Sequence, residues 1–512
     1  MTSRFVSTIT VKKTELIAQL QKGSVVVVYL LGLIAAVIAV SFLFLIHDSL
    51  RLDEAQSIWQ ASHSLTGTLY VVAQDVHVPM YHILLHYWMV VFGTGVAATR
   101  AMSLLFFVLS IPTMYLLART ILSRPWALTV TTLFAFSPFM NWYANETRMY
   151  SLLVLFSLLN QYFFSRIVQH KKGWAGYALT AIFGVYSHYF FLFNLITQAL
   201  FYLFNRKKFA PGTFIKLSLT AFGVVVSLAP WLYYFVTLGL ASNTRPLLQA
   251  PSTVDFFNVF SQFLFGFQSN MINTIIVSCW PILVALAFFT VKRHLKIEPA
   301  KAYLLFAAFV PVLLAYGLSF VVTPFFLSRY MAPVVAPLMV ILIWLVSNYA
   351  KKVAVVVVGL CVAVTGVAFY LQTTSPLNPQ REDYKDAVSY VQQHAKSHDS
   401  IALTSPFTVY PFEYYYTGDE QIKTLPLWDR QKPGPIPAFN AATLPAQVKA
   451  IAKDHDYVYL LASYDQGYEK QVLTYFSDHY ERTYKHQYSV DLTLYVFRVG
   501  YNSIPVLQPP SP

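Results

Sequence analysis

Two adjacent acids, Asp53-Glu54, stand at the head of the segment DEAQSIWQASHS in a chain where acidic residues are scarce. A carboxylate within hydrogen-bond reach of an attacking hydroxyl can take its proton, so Asp53 is a candidate general base. The same residue with Gln56 three positions on also has the form of a helix N-cap and its capping-box partner, and the spacing leaves both readings open. Neighbouring residues on a helix point about 100° apart, so Asp53 and Glu54 are not expected to share one role.

Four further stretches carry side chains suited to an anionic substrate. Asp75-Val76-His77-Val78-Pro79 precedes an apolar helix, and Glu146-Thr147-Arg148 marks the start of another. Arg329 stands in FFLSRYMAP and His188 in YSHYFF. A guanidinium fork is well shaped for phosphate oxygens, which makes Arg148 and Arg329 candidate phosphate ligands, with His188 beside them as a donor-site candidate. Asp75, His77 and Glu146 are candidates for substrate contact or for a divalent cation, since hard cations prefer oxygen ligands. A plain ion pair between Glu146 and Arg148 at a span end, and an interfacial role for His188, are equally compatible with the sequence. His82 and His86 sit four apart, the spacing of paired metal ligands, but no third ligand stands nearby in sequence.

What must position these residues is a set of membrane spans. The chain of 512 residues is 56% hydrophobic, 17% aromatic and only 12% charged, whereas about a quarter of the residues in an average soluble domain are charged. Apolar runs long enough for a hydrocarbon core of roughly 30 Å recur from 24 to 371. We place eleven spans, at 24–46, 98–118, 126–144, 149–165, 174–187, 189–204, 214–238, 271–291, 301–322, 331–349 and 353–371. Alternate loops then collect the basic clusters, among them Lys12-Lys13, Lys171-Lys172, Arg206-Lys207-Lys208 and Lys351-Lys352. The positive-inside rule makes that side cytoplasmic. Asp53, Asp75, His77, Glu146, Arg148, His188 and Arg329 all fall on the opposite, outer side.

The stretch 79–92 is apolar enough to pass for a span, but counting it would turn the basic clusters outward. We lay it flat, with Met80, Ile83, Leu84, Tyr87 and Val91 toward the lipid, as an interfacial helix. The helix opened by Asp53 is a second such element, with Ala55, Ile58, Trp59 and Ser62 able to face the membrane. The expected domains are a cytoplasmic segment 1–23, a transmembrane domain 24–374 and an outer α/β domain 375–512. The last is expected to hold a helix at 381–396 and strands at DSIALTS, YVYLLAS and LTLYVFRV.

The net charge of +13 does not imply nucleic acid as a partner, because the basic residues sit in short clusters between spans. Cys279 and Cys361 both lie in apolar runs, so no disulfide framework is available. The first apolar run is too long for the core of a cleavable signal peptide and is expected to remain as a span. A transporter of lipid-linked sugars would place its ionisable groups near the midplane and often show repeat symmetry. Here they gather at one face and no repeat is visible.

Taken in order, DEAQSIWQ, DVHVPMYHILLHYW with FGTG and Arg100 after it, WYANETRMYSL, SHYFF and SRYMAP resemble the bacterial branch of the C-type (GT-C) integral-membrane glycosyltransferases. That branch contains the aminoarabinose transferase, the protein mannosyltransferases and the lipopolysaccharide-core galacturonosyltransferases. The resemblance covers residues 24 to about 350. It implies a multi-pass α-helical membrane fold, a polyprenyl-phosphate sugar donor, a glycan, lipid or protein acceptor, and a catalytic acid in the first outer loop. That acid is Asp53 here, with Glu54 completing the Asp-Glu pair. Asp75, His77, Glu146, Arg148 and His188 match further motif positions. Val78-Pro79 stands where the aminoarabinose transferase has Lys-Pro, so donor identity does not carry over. The expected reaction is transfer with inversion at the outer face of a cytoplasmic (inner) membrane, without a certain cofactor.

Overall fold

A helix of 43 residues, Thr2–Phe44, opens the chain and carries the first apolar span over Gly23–Phe44. The computed structural model describes residues 2–75, 77–239, 249–278, 280, 297–430, 432 and 436–500, without the side chains of 2–22 and 239. Six more helices are long and apolar enough to cross a membrane: Val96–Ala118, Tyr150–Val168, Thr213–Leu238, Pro299–Leu318, Ser328–Val346 and Lys351–Thr374. The chain is a multi-span membrane protein, and these seven helices coincide with seven of the expected spans.

The other expected spans are not single long helices. The run 126–144 is split into Arg124–Ala135 and Pro138–Ala144. Ser137 caps the second piece by accepting from the Met140 amide at 3.4 Å, and Pro138 at its first position starts a helix without extending the one before. The runs 174–187 and 189–204 become helices of 14 and 15 residues, Trp174–Ser187 and Phe191–Asn205. At 1.5 Å per residue each rises about 22 Å, short of a full hydrocarbon core. Most of 271–291 lies outside the described residues.

Three helices, not two, fold the loop between the first two spans: Leu52–Ala61, Leu65–Ala73 and Met80–Phe92. The third has 13 residues, too few to span, and exposes Leu84, Tyr87 and Val91, as an interfacial helix should. Tyr81, His82, Leu85 and Met89 pack inward. The first differs from expectation. Ala55 and Ile58 are buried in protein, and the Trp59 ring meets Tyr410 of the C-terminal domain at 5.1 Å, under the guanidinium of Arg430 at 5.2 Å. Its apolar face covers a protein surface and not a lipid one; periodicity reveals an apolar face but not what covers it.

The C-terminal domain is a five-stranded sheet in the order β2-β1-β3-β5-β4. The strands are β1 Ser400–Thr404, β2 Ile422–Leu425, β3 Tyr457–Ser463, β4 Glu481–Ser489 and β5 Leu492–Arg498. β1 runs parallel to β2 and β3, while β5 is antiparallel to β3 and β4. Because side chains alternate along a strand, Ile401 and Leu403 face the helix Tyr384–His394, whereas Ala402 faces Leu444–Ala452 and Glu469–His479. The first of these cores also takes in Ala55. The C-terminal domain is thereby seated on the helix that carries Asp53.

Candidate functional site

The helix Leu52–Ala61 begins two residues earlier than a capping role for Asp53 requires. Arg51 is the N-cap, its backbone extended, and its amide donates to Glu54 Oε2 at 3.0 Å. Asp53 is therefore inside the first turn with its side chain uncommitted to a cap, and Gln56 is not its capping partner. Glu54 takes the structural part. Its carboxylate accepts from Arg100 Nε at 2.8 Å, Arg100 Nη2 at 2.7 Å, the Thr147 amide at 2.8 Å and the Arg51 amide. Burial alone would raise its pKa, but Arg100 outweighs that and holds Glu54 ionised. Arg100 also gathers the carbonyls of Asp48 at 2.8 Å and Ser49 at 3.0 Å, so one buried pair folds the loop 45–49 against the helix start.

Asp53 points elsewhere, as adjacent helical residues must. Its Oδ2 accepts from Arg329 Nη1 at 3.0 Å. Arg148 Nη1 binds the Asp53 carbonyl at 3.0 Å and Ser57 Oγ at 2.9 Å, while its Nη2 donates to His77 Nε2 at 3.0 Å. Since arginine only donates, His77 Nε2 is an acceptor and the ring is neutral. Burial and the charge of Arg148 both push the His77 pKa well below the usual value, in agreement. For Asp53 burial works upward, but Arg148 and Arg329 prevail and hold the carboxyl well below the ordinary range. It is an ionised carboxylate bonded to Arg329, with the Arg148 guanidinium on the same residue's carbonyl.

Asp75 accepts from Gln56 Nε2 at 3.1 Å and Gln60 Nε2 at 2.9 Å, and lies 3.6 Å from His77 Nε2. It ties the loop that carries His77 to the Asp53 helix. His188 Nδ1 accepts from the Phe190 amide at 3.1 Å, and its ring lies 5.4 Å from Tyr330 and 6.0 Å from Tyr150. The Arg329 guanidinium sits over Tyr330 at 5.6 Å, so His188 belongs to the aromatic wall beside that arginine. Arg329 itself rides on the 3₁₀ segment Ser328–Val334, into whose Pro333 carbonyl Gln161 donates at 3.2 Å.

Glu146 is not paired with Arg148. Its Oε1 accepts from Arg51 Nη1 at 2.8 Å, and burial outweighs that attraction to push Glu146 up to about 7. Arg51 reaches on to Glu382 Oε1 at 3.1 Å and Gln380 Oε1 at 3.0 Å, and Glu382 Oε2 accepts the Leu52 amide at 2.8 Å. The Tyr464 hydroxyl also donates to Glu382. Gln380 and Glu382, at the lead-in to the C-terminal domain, thus hold the N-terminus of the Asp53 helix.

The structure brings Asp53, Asp75, His77, Arg148 and Arg329 into one bonded cluster, with His188 on its wall and Glu54 and Glu146 on its far side. Among the described residues no three or more His, Cys, Asp or Glu side chains are arranged to hold a metal ion. His77 Nε2 and Asp75 are already engaged by Arg148 and two glutamines, so the residues present do not make an oxygen-rich cation site. The roles of Arg51, Arg100, Gln60 and Glu382 were not anticipated. An arginine at the mouth of an apolar span needs a carboxylate, which is a signal for Arg100. Glu382 had none, because Arg381-Glu382-Asp383 reads as a solvated helix start.

A sequence profile of the family described as dolichyl-phosphate-mannose-protein mannosyltransferase matches residues 76–234. That stretch contains His77, Glu146, Arg148 and His188. No curated protein matches at significant similarity. Among solved structures, ArnT from Cupriavidus metallidurans in the apo state superposes with a TM-score of 0.58 at 12% identity, over 91% of this chain and 98% of that one. The same enzyme bound to undecaprenyl phosphate gives 0.57 at 12% identity, over 93% and 99%. The chain has the ArnT fold. It resembles the ArnT and protein mannosyltransferase group of C-type membrane glycosyltransferases.

Proposed function

We propose that this protein transfers a sugar from a polyprenyl-phosphate donor to an acceptor hydroxyl at the outer face of a cytoplasmic membrane. The observation that carries this reading is the carboxylate of Asp53 bonded to Arg329, with Arg148 held on the carbonyl of the same residue, at the start of the surface helix that opens the first outer loop. The profile match and the fold shared with ArnT support it.

The donor phosphate is the natural partner of the two guanidinium groups, with His77 bonded to Arg148 and His188 on the aromatic wall beside Arg329. A departing lipid phosphate needs its charge stabilised more than it needs a proton. When phosphate oxygens draw on Arg329, the Asp53 carboxylate loses part of the attraction that depresses its basicity. It then takes the proton of the acceptor hydroxyl as that oxygen attacks the anomeric carbon from the face opposite the phosphate, giving inversion. Glu54 and Arg100 keep the helix start rigid and Asp75 orients the His77 loop.

Purified protein in nanodiscs, given a panel of polyprenyl-phosphate sugars and candidate acceptors, should release free polyprenyl phosphate with at least one donor. Passage of intact donor between leaflets without release would instead establish a transporter.

A further inference from the structure

Inside the transmembrane half, polar groups from four helices join in one buried network. Asn160 and Gln161 sit on Tyr150–Val168, Asn194 and Gln198 on Phe191–Asn205, and Tyr303 on Pro299–Leu318, all of them buried. Asn160 Oδ1 accepts from Asn194 Nδ2 at 2.9 Å and Gln198 Nε2 at 2.7 Å. Its own amide donates to the Tyr177 carbonyl and to Thr180 Oγ1 of the helix Trp174–Ser187, each at 3.1 Å. Gln198 also donates to the Tyr303 hydroxyl at 3.0 Å. Amides of this kind hold helices together in a membrane, and so far nothing more is called for.

One link leaves the helices. Gln161 Nε2 is shared between Asn194 Oδ1 at 3.3 Å and the Pro333 carbonyl at 3.2 Å. That carbonyl receives no helical bond from four residues on, because position 337 is also proline and has no N–H. Gln161 supplies the missing donor. Pro333 belongs to the 3₁₀ segment Ser328–Val334 that carries Arg329, and Gln161 lies about three turns along the helix that Arg148 just precedes. A short 3₁₀ run with an internal proline has few bonds of its own to fix its position. Arg148 Nε and Arg329 Nε are both buried and without a partner among the described residues, so each guanidinium keeps a donor to spare. One anion can use both only if the two segments are held at a set spacing.

We propose that Gln161 is a positioning residue for phosphate recognition: its bond to the Pro333 carbonyl, backed by Asn160, Asn194 and Gln198, sets Arg329 at the spacing from Arg148 that lets both meet one lipid phosphate. The inference rests on the reading that the donor's phosphate is bound by those two arginines. Gln161 acts through the backbone of the Arg329 segment and not by contact with substrate.

Affinity for undecaprenyl phosphate, titrated onto the full-length protein in nanodiscs, tests this without turnover. Gln161→Met keeps the length of the side chain but has no N–H, so it strands the Pro333 carbonyl and should weaken binding about tenfold. In an Arg329→Lys background the fork that needs positioning is gone, and the same change should cost less than about twofold, because residues that act through one another are not additive. Gln161→Glu, neutral in an apolar core, keeps an O–H for the carbonyl and should stay within about threefold of the wild type. Gln161→Asn, whose amide is one methylene too short to reach Pro333, stands in if the Met variant does not fold. Equal losses in both backgrounds, or a Glu variant as weak as the Met variant, would overturn the inference alone and leave Gln161 as helix glue. A wild type that binds no undecaprenyl phosphate would overturn the inference together with the phosphate reading beneath it.

Discussion

At the scale of single residues, the adjacent acids Asp53 and Glu54 have opposite surroundings. Glu54 is fully buried and accepts four hydrogen bonds, two of them from Arg100. Glu54→Gln strands that guanidinium, and breaking a buried pair costs about 3–5 kcal/mol. The variant should therefore lose thermal stability in detergent, and a normal melting temperature would contradict the role given to the pair. Glu146 provides a second residue-scale test. Its pKa is raised from 4.5 to about 7, so the folded state holds a proton that the unfolded chain has released. Stability from this group is present below pH 4.5, is lost as pH rises toward 7 and is level above that. Asp53, whose pKa is depressed, acts in the opposite sense and only at lower pH. Glu146→Gln should flatten the fall in stability between about pH 4.5 and 7, measured by thermal unfolding across that window. An unchanged slope would place the titration on another group.

At the scale of elements, the fold was most readable where periodicity is long and one-sided. The spans at 98–118 and 353–371 lie within single long helices, and 79–92 holds a helix of 13 residues, too short to cross, with Leu84, Tyr87 and Val91 exposed on one face. The helix of Asp53 shows the limit. Its sequence offers both a capping box and an apolar face, and tertiary contacts decide each: Arg51 takes the cap, and Tyr410 and Arg430 cover Trp59. Asp53, Arg148 and Arg329 were legible as scarce ionisable residues on one side. The grip of Glu382 on Leu52 was not, because it joins positions 330 apart in sequence. That grip predicts that Glu382→Gln lowers transfer while donor binding stays near normal, since it loosens the helix start and leaves Arg148 and Arg329 in place. Loss of donor binding instead would mean that the outer domain shapes the phosphate pocket.

At the scale of the whole molecule, everything rests on which side of the membrane the site occupies. The basic clusters at Lys171-Lys172 and Arg206-Lys207-Lys208 argue for the cytoplasm on their side. A reporter active only in the cytoplasm should be on when fused after Lys172 or Lys208 and off after Pro379, and the reverse would put Asp53 on the wrong face for an outer transferase. The central claim is that Asp53 carries the transfer. Asp53→Asn nearly preserves its volume and leaves the Arg51 cap and the Glu54–Arg100 pair untouched. Single-turnover transfer, measured beside donor binding for this variant and the wild type in nanodiscs, isolates the chemistry. General-base catalysis is worth about 10²–10⁴ in rate, so the variant should bind donor and transfer sugar at least about a hundredfold more slowly. Near-normal transfer by Asp53→Asn would contradict the account and leave Asp53 as no more than a partner for Arg329.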